Sequence, residues 1–306
     1  MDELVPGQVP ITKVLQTVRE SARDAVMVAR TGSTFSGEDI EVVFRKLDSD
    51  LRAKLSPLIQ EALRATTLNA DPPVRQLVAR ALRSGELLRF QLIPNMTETN
   101  PSPETLFEKH LASEEPSSGD TQKWANAIPI WSGVRGPRTD TKANIDVGYT
   151  DGAGRFVLCE LKIASNEPLY AIAELATYIV GYLVVRKLVN FVTKEISERI
   201  CQRGHGLLHA RSIDWCVVAP HFFYEQGASQ PLSPAELDQL RACAETHFRS
   251  AVHALGIDEL NLTVSLRSFA CDRPPPVAAE ARNRWIRDLK ERTPLRKLLT
   301  AATPVR

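Results

Sequence analysis

Asp146, followed fourteen residues later by Glu160-Leu161-Lys162, sits in the segment that most constrains how this chain can fold. Residues 142–149 and 155–163 are short runs rich in β-branched and apolar residues around a loop with two glycines, 150–154. That pattern predicts a β-hairpin. With the loop at 150–154, Tyr149 pairs with Arg155, and Asp146 falls opposite Leu158, diagonally next to Glu160 and on its face. Diagonal neighbours lie roughly 7–8 Å apart, close enough for two carboxylates to share one metal ion. Glu160 and Lys162, two apart, also share a face. The reverse face of the second strand, Val157, Cys159, Leu161 and Ile163, is continuously apolar. It is expected to pack against a helix and leave the acidic face open. A one-residue slip would separate the acids, so the reading depends on register.

The 306 residues, 43% hydrophobic and 25% charged, suit one large globular domain or two modest ones. The five cysteines, Cys159, Cys201, Cys216, Cys243 and Cys271, show no CxxC spacing. Buried thiols in a reducing compartment are expected. No basic leader with an apolar stretch opens the sequence, so a cytoplasmic location is expected. Residues 169–185 are apolar apart from Glu174, but shorter than the roughly 20 residues a bilayer span needs, and a mid-span carboxylate is costly there. A buried helix and no membrane association are the expectation.

Residues 11–30 and 39–66 carry apolar residues at helical spacing, with Pro57 a break in the second, and a third helix is expected over 71–83. Residues 87–93 read as a strand, which leaves a helical bundle or a winged-helix variant open. The Pro-rich stretch 94–103 divides a helical N-terminal domain, 1–98, from a second domain, 99–273, and a basic C-terminal helix, 274–306. The second domain reads as α/β (α+β), a central mixed sheet flanked by helices. The expected order is a helix at 103–112, a strand at 127–131, the hairpin, a long helix at 168–190, a strand at 214–219, a helix at 233–254 and a strand at 260–269. A terminal helix over 278–299 should break near Pro294. Residues 274–306 hold eight Lys and Arg against three Asp and Glu, while 99–273 hold 17 against 21.

This order of elements, with Asp146 and Glu160-x-Lys162 on the hairpin, resembles the PD-(D/E)xK, or restriction-endonuclease-like, nuclease superfamily over about residues 100–270. The resemblance implies a restriction-endonuclease-like core and a Mg²⁺-dependent phosphodiester hydrolase, with Mn²⁺ as an alternative metal. It implies Asp146 and Glu160 as metal ligands and Lys162 as the residue that positions or activates the attacking water. Ile145 stands where the signature has Pro. Glu104 or Glu108 would fill the role of the glutamate that the family often carries on the helix before the strands, Glu108 the better candidate. Glu174 and Tyr178 look like the Gln-x-x-x-Tyr element of the RecB-like branch, with Glu for Gln.

Those residue types suit phosphodiester hydrolysis, in which carboxylates hold Mg²⁺ and the cation neutralises charge growing on the phosphoryl group. The backbone carbonyl of Leu161, between the two motif side chains, is a natural further ligand. Lys162 would need desolvation or a nearby cation to act as a base. Lys123, Arg135, Arg138 and Lys142 could grip backbone phosphates, and Trp124 or Trp131 could stack bases. Cys201, His205 and His209 are spaced by four, as zinc ligands on one helix face would be, but Gly204 and Gly206 interrupt that helix. The expected partner is nucleic acid, DNA ahead of RNA, with a homodimer or a protein partner held through the N-terminal domain left open. The alternative is a non-catalytic nucleic-acid-binding or assembly module that keeps the nuclease fold.

Overall fold

The computed structural model describes residues 37–50, 88–93, 102–115, 121–130, 144–163, 168–189, 206–225, 232–276 and 278–305, with a few isolated positions besides. The helices expected over 11–30 and 71–83, the linker, the loop with Arg135, Arg138 and Lys142, Trp131, Cys201 and His205 fall wholly or almost wholly outside them.

Six strands form one mixed sheet in chain order: β1 (Trp124–Pro129), β2 (Asn144–Thr150), β3 (Phe156–Leu161), β4 (Ser212–Pro220), β5 (Asn261–Phe269) and β6 (Thr303–Pro304). The first three form an antiparallel meander, β3, β4 and β5 run parallel, and β6 returns antiparallel. Helices α1 (Gly37–Asp50) and α2 (Pro103–Ala112) precede the sheet. Next come α3 (Pro168–Val189), α4 (His221–Glu225) and α5 (Pro234–Ala254), and α6 (Ala279–Arg292) and α7 (Leu295–Thr300) close the chain. Both parallel crossovers advance the same way across the sheet, which puts α3 and α5 on one face. Their apolar side chains share a core with Phe156, Leu158, Trp215 and Val217. The opposite face, with Val157, Cys159, Leu161 and Ile163, is covered by Phe107 and Leu111 of α2 and by Ile286, Leu295 and Leu299 of α6 and α7.

Local chemistry explains several boundaries. Ser102 caps α2, its hydroxyl accepting from the Thr105 N–H at 3.1 Å, with Pro103 in the first turn. Ser233 and Glu236 form a reciprocal capping box at α5. Pro294 separates α6 from α7, as its position suggested.

Helix α3 is 22 residues long, so the length argument against a bilayer span does not hold. Among the described residues it is the one helix long and apolar enough to cross a membrane, yet its side chains are packed into the core. Helix α1 also joins that core through Ile40, Val43, Phe44 and Leu47, and Asp48 meets His247 of α5 at 2.5 Å. Cys159 and Cys216, paired across β3 and β4, are buried free thiols with sulfurs 3.1 Å apart.

The described part of the expected strand 87–93 is not a strand. Leu88 adopts φ 53° and Ala127 of β1 φ 47°, which breaks regular pairing. The Asn126 side chain takes the Ile93 N–H at 2.6 Å, a bond that a ladder would have supplied from the backbone. Strand β1 also begins three residues earlier than the sequence suggested.

Candidate active site

The hairpin forms, but its loop is 151–155, one residue further along than expected. Thr150 pairs with Phe156 and Tyr149 with Val157. Asp151 fixes the turn: its carboxylate accepts from the backbone N–H groups of Ala153 and Arg155, each at 2.9 Å, and from the Arg155 guanidinium at 2.7 Å. Gly154, at φ 77°, closes it. The slide moves both strands together, so parity is kept. It brings Asp146 level with Glu160 instead of Leu158.

Pairing between β2 and β3 ends at Val147 and Cys159, although β2 begins at Asn144 and β3 continues to Leu161. The strands part there. Oδ2 of Asp146 reaches across the fork and accepts the Leu161 N–H at 2.8 Å. In an extended strand the N–H and C=O of one residue leave on the same edge, so the Leu161 carbonyl also points toward the fork.

The acidic face is not open. Glu160 is only 3% exposed and Lys162 only 5%. The cause is α3, apolar on nearly every side and therefore laid flat on this face. Lys162 Nζ lies 2.9 Å from Glu160 Oε1 and 2.8 Å from Glu174 Oε2, and the Tyr178 hydroxyl donates to Glu174 Oε1 at 3.3 Å. Glu104 accepts the Ile163 N–H at 3.0 Å, and Glu108 is buried on the same helix, its charge felt by Asp146. Glu160, Glu174 and Asp146 thus act together on one ammonium.

The electrostatics follow. Burial raises the Asp146 carboxyl well above its ordinary range, with Glu108 adding to the rise and Lys162 and the Leu161 N–H opposing it. Burial, then Asp146, pushes Glu160 upward against the pull of Lys162. Desolvation favours a neutral Lys162, but Glu160, Glu174 and Asp146 outweigh it and hold the amine protonated. As the site stands, Lys162 is a charged donor and not a base. Tyr178 is likewise held as a neutral phenol, by burial first and then by Glu160 and Glu174.

Among the described residues, no three His, Cys, Asp or Glu side chains converge tightly enough to chelate a metal. The reason is local: Asp146 leans on Leu161, Glu160 on Lys162, and Glu104 on Ile163. One atom stands out. Glu160 Oε2 is buried and has no hydrogen-bond partner among the described residues. A buried carboxylate oxygen without a donor is costly, and a cation would relieve it.

Lys123 does not come to the acids. Its backbone bonds Thr150, at the far end of β2, about 13 Å along the strand from Asp146. Trp124 is buried, stacked on Tyr149 at 4.7 Å with Arg296 on the ring at 5.7 Å, and offers no face for a base. A cleft of about 520 Å³ lies near Ser113, Glu114, Lys290, Arg296 and Lys297, at the other end of α2 from Glu104. What the sequence did not reveal is that the polar partner of Glu174 is Lys162. Their separation of twelve residues in the sequence gives no local signal.

No known family model matches the chain, and no curated protein or solved structure matches it either.

Proposed function

We propose that the protein is a metal-dependent nuclease with a restriction-endonuclease-like core, hydrolysing phosphodiester bonds in nucleic acid, DNA before RNA. The observation that carries the reading is Glu160 Oε2, a buried carboxylate oxygen without a donor, beside Asp146 at the fork between β2 and β3. The donor set is all oxygen, as Mg²⁺ prefers: Asp146, Glu160 and the Leu161 carbonyl, with Glu108 nearby and the rest of the shell left to water and substrate. The bound cation would supply neutralisation of the phosphoryl charge and a more acidic water.

The chain's own residues have distinct parts. Asp146 and Glu160 supply the oxygens that a cation would take, and its charge would offset the burial that raises both carboxyls. Lys162 donates hydrogen bonds to an attacking water or a phosphate oxygen and stays protonated. Helix α3 and the apolar side chains around it exclude bulk water from one side of the acids. The uneven charge of the C-terminal segment supports nucleic acid as the partner.

A second reading, a non-catalytic nucleic-acid-binding module with the same fold, draws support from Lys162 already neutralising Glu160 and Glu174. Incubation of the purified chain with labelled single- and double-stranded DNA and RNA, in Mg²⁺, Mn²⁺ or chelator, separates the two. Cleavage dependent on the metal supports the nuclease. Salt-sensitive binding without products in any metal overturns it in favour of the module.

A further inference from the structure

Lys162 is shared. Its amine touches Glu160 on β3 and Glu174 on α3 at nearly equal distances, 2.9 and 2.8 Å, and is buried between them. Glu174 is itself anchored, because Tyr178, one helical turn on, donates to its other oxygen. A divalent cation arriving beside Glu160 repels the ammonium already there. Were Glu160 the lysine's sole partner, the cation would have to strip it away and leave a buried charge unpaired.

We propose that Glu174 is a positioning residue that takes over the Lys162 ammonium when a divalent cation engages Glu160. The exchange frees Glu160 Oε1 to join the orphaned Oε2, while Lys162 stays in the site instead of swinging out. Glu174 then acts on the cation only through Lys162. A glutamate serves here where a glutamine would not, because the handover needs a full negative charge on α3 to balance the one that Glu160 gives up. The inference rests on the metal-dependent reading above.

Calorimetric titration of the full chain with MnCl₂ tests it as a double-mutant cycle. Glu174→Gln is expected to weaken Mn²⁺ binding by roughly threefold or more, a coupling usual for contacting residues. Lys162→Met, which removes the competing cation, is expected to tighten it. In the Lys162→Met background, Glu174→Gln should change affinity by less than about twofold. Tyr178→Phe supplies a check that alters no charge and spares both ion-pair partners. By loosening Glu174 it should weaken Mn²⁺ binding while the melting temperature shows the fold intact. Equal losses from Glu174→Gln in both backgrounds, or unchanged affinity in Tyr178→Phe, would make Glu174 a distant charge or a direct ligand and overturn the proposal alone. No saturable Mn²⁺ binding by the unmodified chain would overturn the metal reading, and this inference with it.

Discussion

The Asp146 carboxylate accepts the backbone N–H of Leu161 at 2.8 Å, across the point where β2 and β3 stop pairing. A ladder bond has been replaced by a side-chain bond, and the space opened is where Glu160 and Lys162 stand. Asp146 therefore has two jobs: its bond to Leu161 finishes the sheet, and its charge acts on Glu160 and Lys162.

Asp146→Asn separates those jobs. The amide oxygen can still accept from Leu161, but the part-buried charge beside Glu108 is gone. A carboxyl raised in the folded state favours stability below its unfolded value, ordinarily near 4, and loses that contribution as pH rises through the folded value. Urea unfolding is expected to find the variant at least as stable as the parent at pH 8. The advantage should fade toward pH 4. Mg²⁺ should stabilise the parent more than the variant.

Loss of chemistry should follow loss of any motif residue. Asp146→Ala, Glu160→Gln and Lys162→Ala are each expected to lower Mg²⁺-dependent cleavage by at least about a hundredfold, the scale on which positioned charges act. Circular dichroism should show the fold retained. Unchanged cleavage in any one of them would remove that residue from the site.

Gly148 tests the packing behind the acids. A Cβ there would lie 2.6 Å from Ile128 Cδ1, 2.9 Å from Phe90 and 3.0 Å from Leu158. Gly148→Ala is expected to cost about 1–3 kcal/mol in urea unfolding, the usual penalty for overpacking.

His110 reports on the basic C-terminal helix. Burial lowers its affinity for protons, and Lys290 and Arg287 lower it further. A histidine depressed in this way contributes stability above its ordinary value near 6.5, and that stability is lost as pH falls through the folded value. In an NMR titration, Lys290→Met should move the His110 midpoint upward. No movement would mean that α6 does not lie against α2.

The order of the longer elements along residues 103–292 was legible because their signals are local. Ser102-Pro103 and Ser233-Pro234 mark helix starts, and a short apolar run after the glycine-containing turn marks β3. What was not legible depended on tertiary context. The turn was misplaced by one residue because Asp151 binds three donors at once, which a count of loop residues does not capture. The acidic face was expected to be open because the reverse face of β3 is the continuously apolar one. The uniformly apolar α3 was the available sign that something would cover it. Residues 87–93 have strand composition, yet Leu88 and Ala127 take positive φ, which neither residue type signals in the sequence.

On the proposed reading, Asp146 and Glu160 share one divalent cation at the fork. Anomalous diffraction from crystals grown with Mn²⁺ tests it most directly. The expected result is one strong peak within coordinating distance of an Asp146 oxygen and Glu160 Oε2, with the Lys162 amine moved toward Glu174. A fork without a peak at saturating Mn²⁺, Lys162 still bridging Glu160 and Glu174, would contradict it.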